Sequence, residues 1–452
     1  MQLTIGLEAC LIQSLVTILT HGCVNLLAMF KRFPSFLRHV GPGVVTGAAD
    51  DDPSGIATYT QAGAQFGTGL LWTVFLSLPF MVAIQLVSAR IGRVTGKGLA
   101  ANLREHTPKP FLITIVALLV VANTINIAAD IAAMGEALQL VVGGGQHFHA
   151  VVFGIVTVLL QVFVPYRKLA PILKWLTLFL FAYVIAVLLV DVPWIQVLHD
   201  LVIPRLQWTS GYWMMIVALL GTTISPYLFF WQASQEVEEL RLKSGQGPIV
   251  IGTDAQIGQD LQRVKRDTYI GMFFSNFIAF FIMLLGAVVL YTAGVHDVTS
   301  AAQAAQALRP LAGDFAFALF AGGIIATGLL AVPVLASSSA YAVAEAFGWP
   351  DGLERHWFEA RHFYAVIVVA TVVGTGMDFT PVDPMKALYW SAVINGVVAV
   401  PIMAGLMLLA SKHEVMGKFT SGPKTRWFGW GGVAVMGFAV AMMLWDVLHQ
   451  TV

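Results

Sequence analysis

Charge is what this chain has least of: 11% of its 452 residues are Asp, Glu, Lys or Arg, against 58% hydrophobic. Soluble domains carry roughly a quarter charged residues, so the deficit excludes a solvated globular protein and implies a polytopic protein of the lipid bilayer. Cysteine is nearly missing. The two residues, Cys10 and Cys23, both lie near the N-terminus, which excludes a disulfide framework and a thiolate metal site. No histidine falls in the middle of the eleven predicted spans, so a His-ligated metal centre is not expected. No Lys-Ser/Thr follows a glycine loop, so neither is a phosphate-binding loop. A nucleophile–base pair is also lacking inside the apolar runs, and neither an enzyme nor a resident cofactor is expected. Basic and acidic residues balance at 25 each, and no nucleic-acid partner is expected. No positive stretch precedes the first apolar run, so a cleaved signal peptide is not expected.

What the sequence does have is apolar runs of about 20 residues, enough to cross ~30 Å of hydrocarbon. They fall near 40–67, 70–92, 111–141, 148–165, 169–191, 211–238, 268–293, 313–347, 360–376, 386–410 and 427–448, which predicts eleven spans. Residues 1–39 form an N-terminal segment whose apolar stretch, 3–30, reads as a twelfth span, an interfacial helix or an over-long start. Glu8, Gln13, His21 and Asn25 weigh against a span. With the region before the first span placed in the cytoplasm, 22 of the 25 basic residues fall on cytoplasmic segments, leaving Arg205, Arg309 and Lys386 opposite. That asymmetry is the positive-inside pattern of an odd number of spans, so the C-terminus is expected outside the cytoplasm of a cell membrane.

Within the first run, Gly47-Ala48-Ala49-Asp50-Asp51-Asp52-Pro53-Ser54-Gly55 sets three adjacent carboxylates at bilayer depth. One Asp at a helix centre costs about 2.5–3.5 kcal/mol even on insertion scales, so the cluster implies a function. Pro53 and Gly55 predict a helix break there, which frees carbonyls and points a helix end at the acids. That combination suits a cation. A second break is predicted at Gly221-Thr222-Thr223-Ile224-Ser225-Pro226-Tyr227 in the sixth run. The interruptions stand five spans apart, in corresponding positions of halves 40–191 and 211–410, and an odd repeat length makes those halves inverted copies. Residues 427–448 then add an eleventh span.

On a helix consecutive side chains diverge by about 100°, so the three aspartates cannot all face one cavity. Asp52, beside Pro53 where the helix unwinds, reads as the primary ligand, Asp51 as a second ligand or a partner holding water, and Asp50 as facing elsewhere. A half-helix ends before Pro226, so carbonyls near Thr222 and Thr223 lose amide partners and present negative partial charge. Ser225 is placed to add a hydroxyl or an ordered water. Oxygen-only ligands suit hard divalent ions, Mg2+ or Mn2+, and Mg2+ keeps several waters. Asp130 and Glu136 in the third run, with Asn126 and Asn123 one and two turns before Asp130, read as a water- or proton-lined path or as interhelical hydrogen bonding. Asn395 in the tenth run reads as pathway lining or, in preference, as a bridge between helices. Glu236, Glu238 and Glu239 read as a solvated face, or a vestibule, at the cytoplasmic end of the sixth run. Gly322, Gly323, Gly374 and Gly376 read as close-packing glycines.

These residues resemble the Nramp family of divalent metal transporters (solute carrier family 11). "GPGVVTGAADDDPSGIATYTQAGAQFG" is similar to the family's Asp-Pro-Gly-Asn break and its surroundings. "LVSARIGRVTGKGLA" follows the second span, "GTTISPY" stands at the sixth-span break and "SKHEVMGKF" resembles the family's loop after the tenth, so the match covers about Gly41 to Phe419. The resemblance implies an all-α, LeuT-type fold of two inverted five-helix repeats, with broken helices 1 and 6 and one metal site between them. It puts Asp52 at the family's coordinating Asp and Thr222 where a backbone carbonyl binds metal. Gly55 takes the place of the family's Asn, Ser225 that of its Met and Tyr227 that of its His, while Pro226 is kept. An ungapped match of "NIAADIAAMGEAL" puts Asp130 on the third-span Glu and Ile127 on its Asp. The missing thioether pushes selectivity away from soft transition metals toward Mg2+. A phenol with a reference pKa near about 10 is a poor physiological proton carrier, so proton coupling is not implied. The pattern resembles the Nramp-related magnesium transporters more than the proton-coupled iron and manganese importers.

The expected function is a secondary transporter that moves a divalent cation by alternating access. Two rivals stand beside it. An amino-acid or amine carrier of the same fold would need an anion-binding group, and no Lys or Arg lies near the three aspartates. A metal-gated channel or receptor would differ in turnover.

Overall fold

In hydrocarbon every amide must find its partner within its own segment, so an apolar chain of this kind folds into helices. The computed structural model describes residues 42–164, 177–245 and 249–450, and every regular element in them is helical. The N-terminal segment 1–39, with Cys10, Cys23, Lys31, Arg32 and Arg38, and the basic stretch Arg167, Lys168 and Lys174 lie outside the described residues.

The first run forms α1 (Pro42–Asp50) and α2 (Pro53–Phe66), and a tight turn at Gly67–Leu70 leads into α3 (Leu71–Thr95). A short α4 (Leu99–His106) precedes α5 (Lys109–Val142), α6 (Gln146–Phe163) and α7 (Phe181–Leu188). After α8 (Trp194–Val202) the sixth run forms α9 (Ser210–Thr223) and α10 (Pro226–Ser244). Then come α11 (Asp254–Leu285), which ends in a wide turn at Gly286–Tyr291, and α12 (Ala301–Gln306). The chain finishes with α13 (Ala316–Phe347), α14 (Arg361–Met377), α15 (Pro384–Ser411) and α16 (Pro423–Gln450). Among the described residues eight helical stretches are long and apolar enough to cross a membrane, with α2 and α3 counted as one and α9 and α10 as one. Two shorter apolar helices, Leu178–Leu188 and Arg361–Met377, occupy the fifth and ninth predicted runs.

Local signals set the ends. Gly96 follows α3 in the left-handed region at φ 64° and Gly348 follows α13 at φ 72°, the conformation that glycine alone adopts without strain. Thr253 and Gln256 form a reciprocal cap at the start of α11, and Asp383 accepts the Met385 amide at 2.9 Å at the start of α15.

Small residues let the helices approach. A Cβ on Gly43 of α1 would stand 2.7 Å from the Asp267 carbonyl carbon of α11, so these two backbones touch where most helices keep side chains between them. The glycine reading made from sequence holds only in part. Gly322 and Gly374 are tight, at 2.7 Å from Phe179 and 2.8 Å from Ile127, whereas Gly323 and Gly376 meet nothing within 4 Å.

The reading of α10 as ending in a solvated acidic face is corrected. Glu236 is 1% exposed and pairs with Arg263 at 2.9 Å; Glu238 is 6% exposed and pairs with Arg241 at 2.9 Å. Glu239 shares Arg263 at 2.8 Å. Because α10 packs against α1, α3 and α13, its polar positions face protein, where a carboxylate needs a cation or a donor. Nearby, Glu345 of α13 accepts the Ala100 amide at 3.0 Å and the Ala101 amide at 3.2 Å, closing the open N-terminus of α4.

Candidate metal centre

The first break is built by Asp52 and Pro53. Proline has no amide to lose at a helix start, and an Asp just before it caps the free amides that follow. Asp52 takes this role at the start of α2: its Oδ1 accepts the Gly55 amide at 2.7 Å and the Ser54 hydroxyl at 2.9 Å. Its Oδ2 accepts Asn126 Nδ2 of α5 at 3.0 Å. The carboxylate is thus buried at a positive helix end with its position set from two helices.

The second break repeats the design with the opposite polarity. α9 ends at Thr223, and Pro226 opens α10. The Ser225 hydroxyl lies 2.7 Å from the Thr222 carbonyl and 3.1 Å from that of Gly221, so it turns back on the helix end that it follows. The Tyr227 hydroxyl donates to the Ala49 carbonyl at 2.9 Å, and the Tyr59 hydroxyl meets Thr223 Oγ1 at 3.2 Å. Gly55 lies between the breaks: a Cβ there would sit 3.1 Å from Thr222 Oγ1 and 3.4 Å from Asp52 Oδ1. The first turn of α2 and the last turn of α9 therefore face each other across one small gap.

Other residues singled out from sequence differ from expectation. Asp51, read as a second ligand beside Asp52, turns with Asp50 toward α11, where Ser275 Oγ lies 3.3 Å from Asp51 Oδ1 and 2.5 Å from Asp50 Oδ2. The 100° divergence fails because α1 ends at Asp50 and Asp51 already has a bent, non-helical backbone. Ser225 adds no free hydroxyl, since its proton is taken by carbonyls of its own chain. Glu136, read as part of a path from the break, caps α12 instead: its Oε1 accepts the Ala301 amide at 3.0 Å. Tyr227 is fastened to Ala49. Asn395, read as a bridge, makes no hydrogen bond with either amide atom, although it is 1% exposed. Asn123 does bridge, donating to Ser339 Oγ at 2.9 Å and to the Leu335 carbonyl at 3.1 Å.

Several buried oxygens have no hydrogen-bond partner: Asn126 Oδ1 and Thr222 Oγ1 beside the gap, both of Asp130, and, on the α11 side, Asp50 Oδ1 and Asp51 Oδ2. Asp130 is also close enough to Asp52 for their charges to interact. Buried polar atoms are almost always satisfied, so a group of orphaned oxygens fits a cation or ordered waters. Among the described residues no three His, Cys, Asp or Glu side chains converge as a metal cage. Carbonyl, amide and hydroxyl oxygens would have to complete any coordination that Asp52 begins. Ser275, Tyr59 and Asn126 are the contributors that sequence reasoning missed or ranked low. The polar pair Ser275-Asn276 inside an otherwise apolar stretch was the available signal.

The family model described as natural resistance-associated macrophage protein-like matches residues 43–446. The chain belongs to the Nramp family. Solved structures similar to this Nramp chain include a mutant manganese transporter of Eremococcus coleocola, at TM-score 0.69 and 18% identity, covering 89% of this chain and 85% of that one. The same transporter in complex with an aromatic bis-isothiourea substituted compound aligns at TM-score 0.67 and 18% identity, over 90% and 87% of the two chains. A nucleobase-cation-symport-1 family transporter in a closed conformation with bromovinylhydantoin bound aligns at TM-score 0.53 and 16% identity, again over 90% and 87%. The Nramp chain thus has a LeuT-type fold, and it is a membrane transporter, not an enzyme.

Proposed function

We propose that this Nramp-family protein carries a hard divalent cation, Mg2+ or Mn2+, across the membrane by alternating access. The observation that carries the reading is the position of the buried Asp52 carboxylate at the start of α2, facing the end of α9 at Thr222 across Gly55. A carboxylate on one side and a helix C-terminus on the other make a cation site of oxygen ligands alone, the chemistry that suits hard divalent ions. The unpartnered oxygens of Asn126, Asp130 and Thr222 support an ion that keeps part of its water shell, since water can bond all three. With Ser225 where the family's Met stands, the soft ligand that would favour Fe2+ is missing. Asp51 stands back from the gap, 3.3 Å from Ser275 Oγ.

The two halves, 40–191 and 211–410, rock against each other as inverted repeats around the paired breaks, with 427–448 as an added span. The region before the first span lies in the cytoplasm and the C-terminus outside it. Proton coupling is not part of the proposal. The manganese transporter with the same fold supports the divalent class.

Uptake in proteoliposomes and isothermal titration with Mg2+, Mn2+ and Ca2+ test the reading. Asp52→Ala should abolish both uptake and binding in a protein that still elutes as a folded species. Undiminished uptake would refute it.

A further inference from the structure

The outer surface carries a groove of ≈ 300 Å³ whose lining includes Pro79, Leu86, Tyr269, Phe273, Lys424 and Phe428. Packing explains its shape. α3 lies against both α11 and α16, while α11 and α16 have next to no contact with each other, so α3 forms the floor and the other two form the walls.

All three helices change character at the same end of the groove. On α3 the lining ends at Leu86, with Arg90 one turn beyond it; on α11 it runs from Phe273 to Tyr269, with Lys265 one turn beyond; on α16 it runs from Phe428 to Lys424. A spacing of four keeps each basic residue on the face of the apolar one before it. Lys265 Nζ lies 5.9 Å from the Tyr269 ring centroid, and Arg90 donates to the Phe419 carbonyl at 2.8 Å, just ahead of α16. Lys424 thus stands at the mouth, and Lys265 and Arg90 lie one helical turn beyond the lining on the other two helices. Arg90 Nε is buried with no hydrogen-bond partner. The carboxylates in the neighbourhood are spoken for, Asp254 by Lys418 and Glu236 and Glu239 by Arg263, and neither Lys265 nor Lys424 has an ion-pair partner among the described residues.

An apolar trough with a cationic mouth fits an amphiphile with a negative head. We propose that this groove binds one anionic phospholipid, its phosphate at Arg90, Lys265 and Lys424 and an acyl chain along Leu86, Phe273 and Phe428. The mouth is at the end that the Lys/Arg distribution assigns to the cytoplasm, where the leaflet is richest in anionic lipid. A lipid seated there bridges α11 and α16, which otherwise barely touch, and so stabilises the folded protein.

Native mass spectrometry of the full-length protein, titrated with dioleoylphosphatidylglycerol and separately with dioleoylphosphatidylcholine, tests this. One phosphatidylglycerol should be retained in preference, with a matching rise in melting temperature. The double substitution Lys265→Ala, Lys424→Ala, at exposed side chains, should weaken retention about thirtyfold, roughly fivefold per lysine. Ala83→Trp, which fills the trough without changing charge, should abolish it, and Asp52→Ala should leave it unchanged. Equal retention of both lipids, or undiminished retention in either groove variant, overturns the proposal. Loss in the Asp52 variant would do so as well.

Discussion

Tyr227 donates a 2.9 Å hydrogen bond to the backbone carbonyl of Ala49, which ties the residue after one helix break to the last turn before the other. The carbonyls of a helix's last turn have no amide partner of their own, and a buried one must be satisfied from elsewhere. The phenol caps α1 from α10, and Tyr59 makes the reciprocal link from α2 to Thr223.

Tyr227→Phe should therefore act on stability and not on coupling. Leaving the Ala49 carbonyl buried and unpaired costs about 1–3 kcal/mol. Thermal melting should report that loss, while the pH dependence of uptake stays that of the parent protein. A displaced pH profile would show instead that Tyr227 carries a proton.

Asn126→Ala removes the donor that holds Asp52 Oδ2 at 3.0 Å. Hydrogen bonds to charged groups are worth about 1.5–3 kcal/mol, which predicts a loss of ion affinity of roughly 10- to 100-fold. Titration calorimetry would measure it. Unchanged affinity would mean that Asp52 does not need Asn126 to stay in place.

Ser225→Met frees the Thr222 carbonyl of a hydroxyl now 2.7 Å away and sets a thioether beside the gap. Competition assays should show preference moving from Mg2+ toward Mn2+, Fe2+ or Cd2+. If the order of ions is unaltered, position 225 does not face the ion.

Outside the spanning helices, Asp200 anchors α8. Burial raises its pKa, but the Thr68 hydroxyl at 2.6 Å, His199 Nδ1 at 2.9 Å and Arg205 at 2.7 Å outweigh that and hold it below the usual carboxylate value. A folded-state pKa below the unfolded one adds stability above the unfolded value, and that stability is lost as pH falls through the folded one. The attachment of α8 should thus be complete at neutral pH and begin to weaken only as pH falls below about 3.9. Hydrogen exchange across Trp194–Val202, corrected for intrinsic rates, should show full protection at neutral pH and a progressive loss as pH falls through the acid range. In Asp200→Asn that difference should vanish.

The breaks were legible because their causes are local. Pro53 and Pro226 cannot continue a helix from the residue before, and Asp52 is a capping side chain wherever it stands ahead of a helix. The direction of Asp50 and Asp51 was not legible, because helical spacing stops applying once the chain leaves α1. Ser275 drew no attention as one hydroxyl in an apolar run. Glu236 and Glu238 looked solvated because their cations, Arg263 and Arg241, become partners only when α10 is packed on every side.

By itself the sequence determined that the chain lives in lipid, that two of its helices are interrupted, and which carboxylate stands at the first interruption. Each of these follows from transfer energies or from backbone bonding within a few residues. Only the tertiary structure decided that Asn126 holds Asp52, that Ser275 takes both neighbouring aspartates, and that Tyr227 is bound to Ala49. A buried polar atom must bond to whatever packing brings within about 3 Å, and packing joins residues far apart in the chain.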